Sequence, residues 1–316
     1  MGISFRVALF SGMAFLVGGC GGGGQIDGTP TYVLSPDGKS VLFEGAGEGG
    51  GDLYDLDLRT MAVRLRVSTG GADYYPTFSQ SGKAIAFVSG GEAYRIGIST
   101  VAGHHDIIPL QGIKPRSGPT FIGGSSRVAY TEAGRQRDYS FGGKVWDQWD
   151  VYSVSVDGSG VERLTSAKYP KIGRPHMVAG SNSLIYAAYT TGGGSIYKLD
   201  LASKKVSKLP VSEVAIRSVT TTPDGKTIAY LGNPVVGGAG YQVWRAAIDG
   251  TSARQLTRDN ISKDEPIISP DGRHVFYLTV VAEGRKYELW QIDIDGKNAR
   301  RIADSGLFTN PLKWRP

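Results

Sequence analysis

The stretch Ser35-Pro36-Asp37-Gly38-Lys39-Ser40-Val41-Leu42-Phe43 reads SPDGKSVLF, a reversal followed by an apolar run. Proline presets φ at the second turn position, aspartate tolerates the third, and glycine accepts the left-handed fourth, so SPDG encodes a tight turn between two strands. The same chemistry returns at Thr222-Pro223-Asp224-Gly225-Lys226 and Ser269-Pro270-Asp271-Gly272-Arg273, with a looser copy at Ser79-Gln80-Ser81-Gly82-Lys83. Degenerate copies at Gly124-Ser125-Ser126-Arg127 and Ser181-Asn182-Ser183 fill the gap, and an apolar run follows each turn. The result is about six units of roughly 40 to 60 residues, the period of propeller blades.

A second element recurs in every unit: an aromatic residue, or one close to it, leads an alternating strand. Leu53-Tyr54-Asp55-Leu56-Asp57-Leu58 sets the pattern. Relatives begin at Ala93, Val151, Ile196, Val243 and Leu289. The period of two is that of a strand. Asp157-Gly158, Asp249-Gly250 and Asp295-Gly296 then signal hairpins into a short fourth strand. No helical period appears outside the N-terminus, and a sandwich would not explain one composite motif repeating along the chain. The expectation is an all-β, six-bladed β-propeller of four-stranded antiparallel blades, preceded by a signal peptide. Because each blade buries its faces only against its neighbours, so long a chain can remain one domain.

The SPDGK or SPDGR turn, the strand ending near Ala-Tyr or Phe-Tyr, and the later strand Leu289-Trp290-Gln291-Ile292-Asp293-Ile294-Asp295-Gly296 resemble the WD40-like (PD40) repeat of TolB-type propellers. Ser269 to Ile302 is the clearest copy, and the resemblance covers roughly Thr31 to Pro316. It implies the fold more than a function, since such repeats occur in periplasmic scaffolds, surface lipoproteins and the gating domains of prolyl-oligopeptidase-type hydrolases. The TolB pattern places an α/β domain ahead of its propeller, whereas here the repeat starts near Thr31. The hydrolase pattern needs a G-x-S-x-G nucleophile turn, which is missing. A free-standing propeller is therefore expected.

Met1 to Cys20 carries one arginine, Arg6, and an apolar run from Val7 to Val17, too short to span a membrane and suited to a secretory signal. The run ends in Leu16-Val17-Gly18-Gly19-Cys20, which resembles a bacterial lipoprotein box. Cys20 is the only cysteine in the chain, and Gly21 to Gly24 form a flexible tether behind it. The expected organisation is a lipoprotein signal peptide over 1–19, a lipidated cysteine and glycine-rich tether over 20–30, and a TolB-like propeller over 31–316. The resemblance to a lipoprotein, with glycine instead of aspartate after Cys20, implies an exported protein held at the outer membrane, facing the periplasm or the cell surface. A net charge of +6 spread among acidic residues does not imply nucleic-acid binding.

The third unit carries an insertion, Ala133 to Asp150, that concentrates Arg135, Arg137, Tyr139, Phe141, Trp146 and Trp149. Arginine with aromatics is the composition of binding hot spots, so these six are the candidate contacts for a protein, or for a glycan stacked on the rings. The competing reading makes Trp146 and Trp149 a hydrophobic clasp that pins the insert to its own blade. The four histidines, His104, His105, His176 and His274, fall in different units apart from one adjacent pair, so no metal is expected. The acidic strands lack a calcium-loop spacing, and the glycine-rich stretches precede no helix; no cofactor and no catalytic residue is assigned. The C-terminal Asn310-Pro311-Leu312-Lys313-Trp314-Arg315-Pro316 repeats the register of an innermost strand, which it and Thr31 to Leu34 could both supply to the first blade. Together these features describe a monomeric, lipid-anchored envelope propeller, binding a protein or a glycan without catalysis. The alternative is a propeller enzyme of the polysaccharide lyase or glycoside-processing type, with its site in the central funnel.

Overall fold

The computed structural model describes residues 29–47, 50–90, 94–100, 102–108, 114–138, 144–190, 193–213, 215–234, 240–281 and 286–316. The leader, Cys20 and its tether, and Tyr139 and Phe141 of the insertion lie outside these residues. Six four-stranded antiparallel sheets form a propeller, each from strands consecutive in the blade. The first blade takes Tyr32–Leu34, Ser40–Gly45, Asp52–Asp57 and Val63–Val67; the second Asp73–Phe78, Ile85–Ser89, Arg95–Thr100 and Gly103–Ile108. The third takes Arg116–Ile122, Arg127–Glu132, Asp150–Ser155 and Glu162–Arg163, and the insertion contributes a separate hairpin, Arg135–Asp138 with Lys144–Asp147. The fourth takes His176–Val178, Ser183–Thr190, Gly193–Asp200 and Val206–Lys208; the fifth Ala215–Thr221, Thr227–Asn233, Gln242–Ala247 and Arg254–Gln255; the sixth Lys263–Ile268, His274–Val281, Lys286–Asp293 and Arg300–Ala303. First strands of neighbouring blades approach one another around the central channel.

The recurring turn is built around one hydroxyl. Ser35 Oγ donates to Asp37 Oδ1 at 2.6 Å and accepts from the Ser40 N–H at 3.0 Å, while the Lys39 N–H donates to the same carboxylate oxygen at 3.1 Å. Thr222 with Asp224, and Ser269 with Asp271, repeat these bonds. The hydroxyl and the N–H hold the Asp37 and Asp224 carboxyls below the usual carboxylate range. The leading aromatic of the third strand has a matching role. It lies opposite an aromatic on the second strand, as Phe43 with Tyr54, Tyr130 with Tyr152, and Tyr186 with Tyr197, each stacked at 5.8 Å between ring centres. Such cross-strand pairs stabilise a sheet by roughly 0.2–1 kcal/mol each.

The apolar side chains sort into six clusters, one at each junction between neighbouring blades. Along the second strand of the fifth blade, Ile228 and Tyr230 pack toward the fourth blade while Ala229 and Leu231 pack toward the sixth. A strand with a neighbour on both faces has no solvent side, so the run after each turn is apolar without a break.

Closure differs from one of the two sequence expectations. The inner strand of the first blade is Tyr32–Leu34, and the C-terminal segment forms no strand. It makes instead a helical turn, Gly306–Thr309, and a 3-10 turn, Pro311–Lys313. Pro311 presets a helical φ at the start of that turn. Its ring fits against Gly45, where an added Cβ would lie 2.4 Å from it. Leu307, Phe308 and Trp314 enter the cluster shared by the sixth and first blades, Phe308 meets Phe43 edge-on at 5.6 Å, and Trp314 Nε1 donates to Asp304 at 2.9 Å. Deletion of Asn310 to Pro316 is expected to lower stability by about 3–5 kcal/mol, the usual cost of losing a buried tryptophan. Urea denaturation of the full and shortened chains measures it; an unchanged midpoint would mean that the segment does not hold the seam.

Candidate functional site in the channel

At one level of the channel the inner strands break their ladders. The register shifts between Tyr74 and Thr77, between Ile216 and Val219, between Asp264 and Ile267, and, across from Ala129 and Thr131, around Gly118. Tyr75 and Glu265 take φ of 54° and 42°, a left-handed conformation that non-glycine residues adopt at a cost of about 1–3 kcal/mol. Each of the two precedes a proline that cannot donate to the ladder, and bulges are where sheets accommodate one. Gly118, at φ 55°, leaves room for the neighbouring chain, since a Cβ there would lie 2.8 Å from Arg174 Cα.

These irregularities, with the segment leading into the fourth blade, enclose a cavity of about 50 Å³. Its wall includes Tyr75, Ser117, Arg174, Arg217, Asp264 and Glu265, with Lys171, Tyr189 and Trp149 beside them. Behind the wall, Tyr32 donates from its hydroxyl to the Glu265 carbonyl at 2.7 Å. Asp264 accepts from Thr29 at 3.2 Å and from the Glu265 N–H at 3.0 Å.

Arg174 is 9% exposed. Its Nη1 donates to the Tyr32 carbonyl at 3.4 Å and its guanidinium lies over the Tyr75 ring at 5.6 Å, but Nε and Nη2 have no hydrogen-bond partner. Burial works against its charge and lowers its pKa, while Glu265 works for it. A buried polar group left unpaired costs about 1–3 kcal/mol, and a charged one more. Arg217 is better served. Its Nε donates to the Tyr189 hydroxyl at 3.2 Å, and its guanidinium lies 4.8 Å from the Tyr241 ring centre. Burial pulls its pKa down, but Asp264 and the two tyrosines outweigh burial and the net shift is upward.

At the opposite end the channel widens into a cavity of about 470 Å³ lined by Phe78, Thr120, Gly124, His176, Ser181 and Thr221 among others. Desolvation first, and then the nearby Arg174 charge, push the His176 imidazole down to about 3. Among the described residues no group of three His, Cys, Asp or Glu is placed to hold a metal ion.

The structure divides the residues singled out in the insertion. Arg135 and Arg137 are exposed on the hairpin, Arg137 pairing with Asp147 at 2.9 Å. Trp146 is half-buried against the cluster between the third and fourth blades. Trp149 is 3% exposed within that cluster, donates from Nε1 to the Trp146 carbonyl at 3.4 Å, and forms part of the channel wall. The insertion joins a second strand to a third, so it leaves the blade at the end where the inner strands begin, beside the mouth leading to Arg174.

Neither a family model nor a curated protein matches the sequence. Solved structures do match. TolB from Acinetobacter baumannii superposes with a TM-score of 0.66 at 21% identity, over 85% of this chain and 62% of that one. The chain shares the TolB propeller fold. A putative TolB from Agrobacterium tumefaciens gives 0.62 at 19% identity, covering 78% of this chain and 86% of its own. An oligogalacturonate lyase from Vibrio parahaemolyticus gives 0.60 at 14%, covering 87% and 77%. The chain thus spans under two-thirds of the Acinetobacter TolB's length, and at these identities the likeness is one of fold.

Of the channel residues only Trp149 was singled out by composition. A signal for two of the others existed, because Pro76 and Pro266 each stand three residues before a turn-opening serine, marking Tyr75 and Glu265 as bulge positions. Arg174 stands before Pro175, but in a unit whose turn is degenerate.

His176 yields a pH prediction. Its folded pKa of about 3 lies below the ordinary 6.5, so between those values the unfolded chain binds the extra proton and stability falls as pH falls. His176→Gln is expected to flatten the acid side of a plot of melting temperature against pH over that window, and an identical profile would show that His176 ionises freely in the folded chain.

Proposed function

We propose that the chain is a non-catalytic, lipid-anchored propeller of the bacterial envelope that binds another protein on the face carrying the channel mouth and the third-blade hairpin. The observation that carries this reading is the position of Trp149, which belongs at once to the channel wall and to the core beneath the hairpin. It fixes the hairpin's base to the rim of the mouth, and Arg135 and Arg137 are exposed on that hairpin. Exposed arginines beside a walled cavity suit a protein partner. The likeness in fold to TolB supports the same class of role. The lipoprotein-like box supports anchoring through Cys20, and the glycine after it, where an aspartate would favour inner-membrane retention, supports outer-membrane placement. The propeller is proposed to act as a monomer.

The enzyme reading draws on one feature, the adjacent Asp264 and Glu265 at the cavity beside Arg217, together with the fold shared with a lyase. Turnover of oligogalacturonate by the chain, abolished in Asp264→Asn, would favour it over docking.

The test of docking is capture from membranes with the wild-type chain, an Arg135→Glu, Arg137→Glu variant and a Cys20→Ser variant. Expected outcomes are a membrane fraction lost only in Cys20→Ser, and at least one protein retained by wild type and lost, about tenfold or more, in the arginine variant. The Arg137–Asp147 ion pair that the variant loses lies within the hairpin, a sheet separate from the six blades, so the propeller itself should melt unchanged. Equal recovery of every protein would remove the hairpin face from consideration.

A further inference from the structure

We propose that Arg174 is the receptor for a single carboxylate, supplied by an acidic side chain of the protein that docks on the channel mouth. The inference rests on the docking reading above and names the chemistry of its central contact.

The first support is charge. Lys171, Arg174 and Arg217 line the cavity against Asp264 and Glu265, which leaves one positive charge in excess among the described lining residues. The second is the geometry of the unsatisfied atoms. Nε and Nη2 present parallel N–H bonds along one edge of a guanidinium, the edge that grips a carboxylate side-on. In Arg174 both lack a partner and both are buried, so a carboxylate in the cavity engages them with a small movement of the Arg174 side chain. The same edge is in use elsewhere in this chain, where Arg64 Nε and Nη2 donate to Asp55 Oδ2 at 3.3 and 2.8 Å. Arg217, by contrast, already spends its Nε on Tyr189. The Tyr75 ring helps hold the Arg174 charge but offers no acceptor in the plane of the fork.

The third support is size. A cavity that admits a benzene ring measures about 150 Å³. The space beside Arg174 is about 50 Å³, enough for a carboxylate in place of a few waters and too small for a pyranose ring. An acidic side chain reaching in from a docked surface fits this space; a sugar residue seated whole does not.

The test uses the 15N-labelled full chain without any partner. Arginine Nε–H resonances are assigned through the side chain from the backbone, which needs no variant, and followed during titration with sodium acetate, sodium chloride and galacturonate at constant ionic strength. The expected result is a saturable shift of the Arg174 resonance with acetate and none with chloride. Acetate should also raise the melting temperature of wild type but not of Arg174→Lys. No shift with acetate overturns the proposal. An equal response to chloride overturns it too, as an adventitious ion only. Saturation by galacturonate at a tenfold lower concentration than acetate would move the source to an acidic sugar and overturn it likewise. Since the titration contains no partner, its failure removes the carboxylate receptor while the membrane capture still decides docking.

Discussion

The architecture depends on burying both faces of every blade at once. A four-stranded sheet of this size has no stable existence with its faces in water, and each of the six apolar clusters joins two neighbours. The ring must therefore close, and among the described residues it closes without a strand shared between the chain ends. Side chains make the seam: Tyr32, Phe43 and Leu56 from the first blade, Phe276, Leu278 and Leu289 from the last, and Leu307, Phe308 and Trp314 sealing them. The turns assist on one face, where Gly38 of the first blade lies against Pro270 of the last as Gly82 lies against Pro36.

The repeat was legible because its physical causes are local. A hydroxyl, a carboxylate and a left-handed glycine complete the turns of the first, fifth and sixth blades within six residues, and the leading aromatic of the third strand needs only the strand opposite. The degenerate third and fourth units could be placed by periodicity because their neighbours repeat the full motif. The C-terminal segment was read less well. Asn310 to Trp314 has the residue types of an inner strand, yet Pro311 and the pocket over Gly45 favour a compact turn once Tyr32–Leu34 occupies the first position.

The channel was least legible, since its properties belong to no single unit. Arg174 meets Tyr32 of the first blade, Tyr75 of the second, Gly118 of the third and the field of Glu265 from the sixth, partners scattered from one end of the chain to the other. Composition drew attention to the insertion, whose arginines and tryptophans cluster in sequence. Only the closed ring shows that Trp149 joins that insertion to the channel.

Every sheet here is spelled by one uninterrupted stretch of chain, the first blade included. A backbone cut between any two sheets would sever no ladder of hydrogen bonds, so the gene is modular at the level of the wedge. Old ends could be joined and new ones opened around the circumference without breaking the ladder within any blade. Gain or loss of a whole wedge would change the bore of the pore and leave the internal pairing of the others as it is.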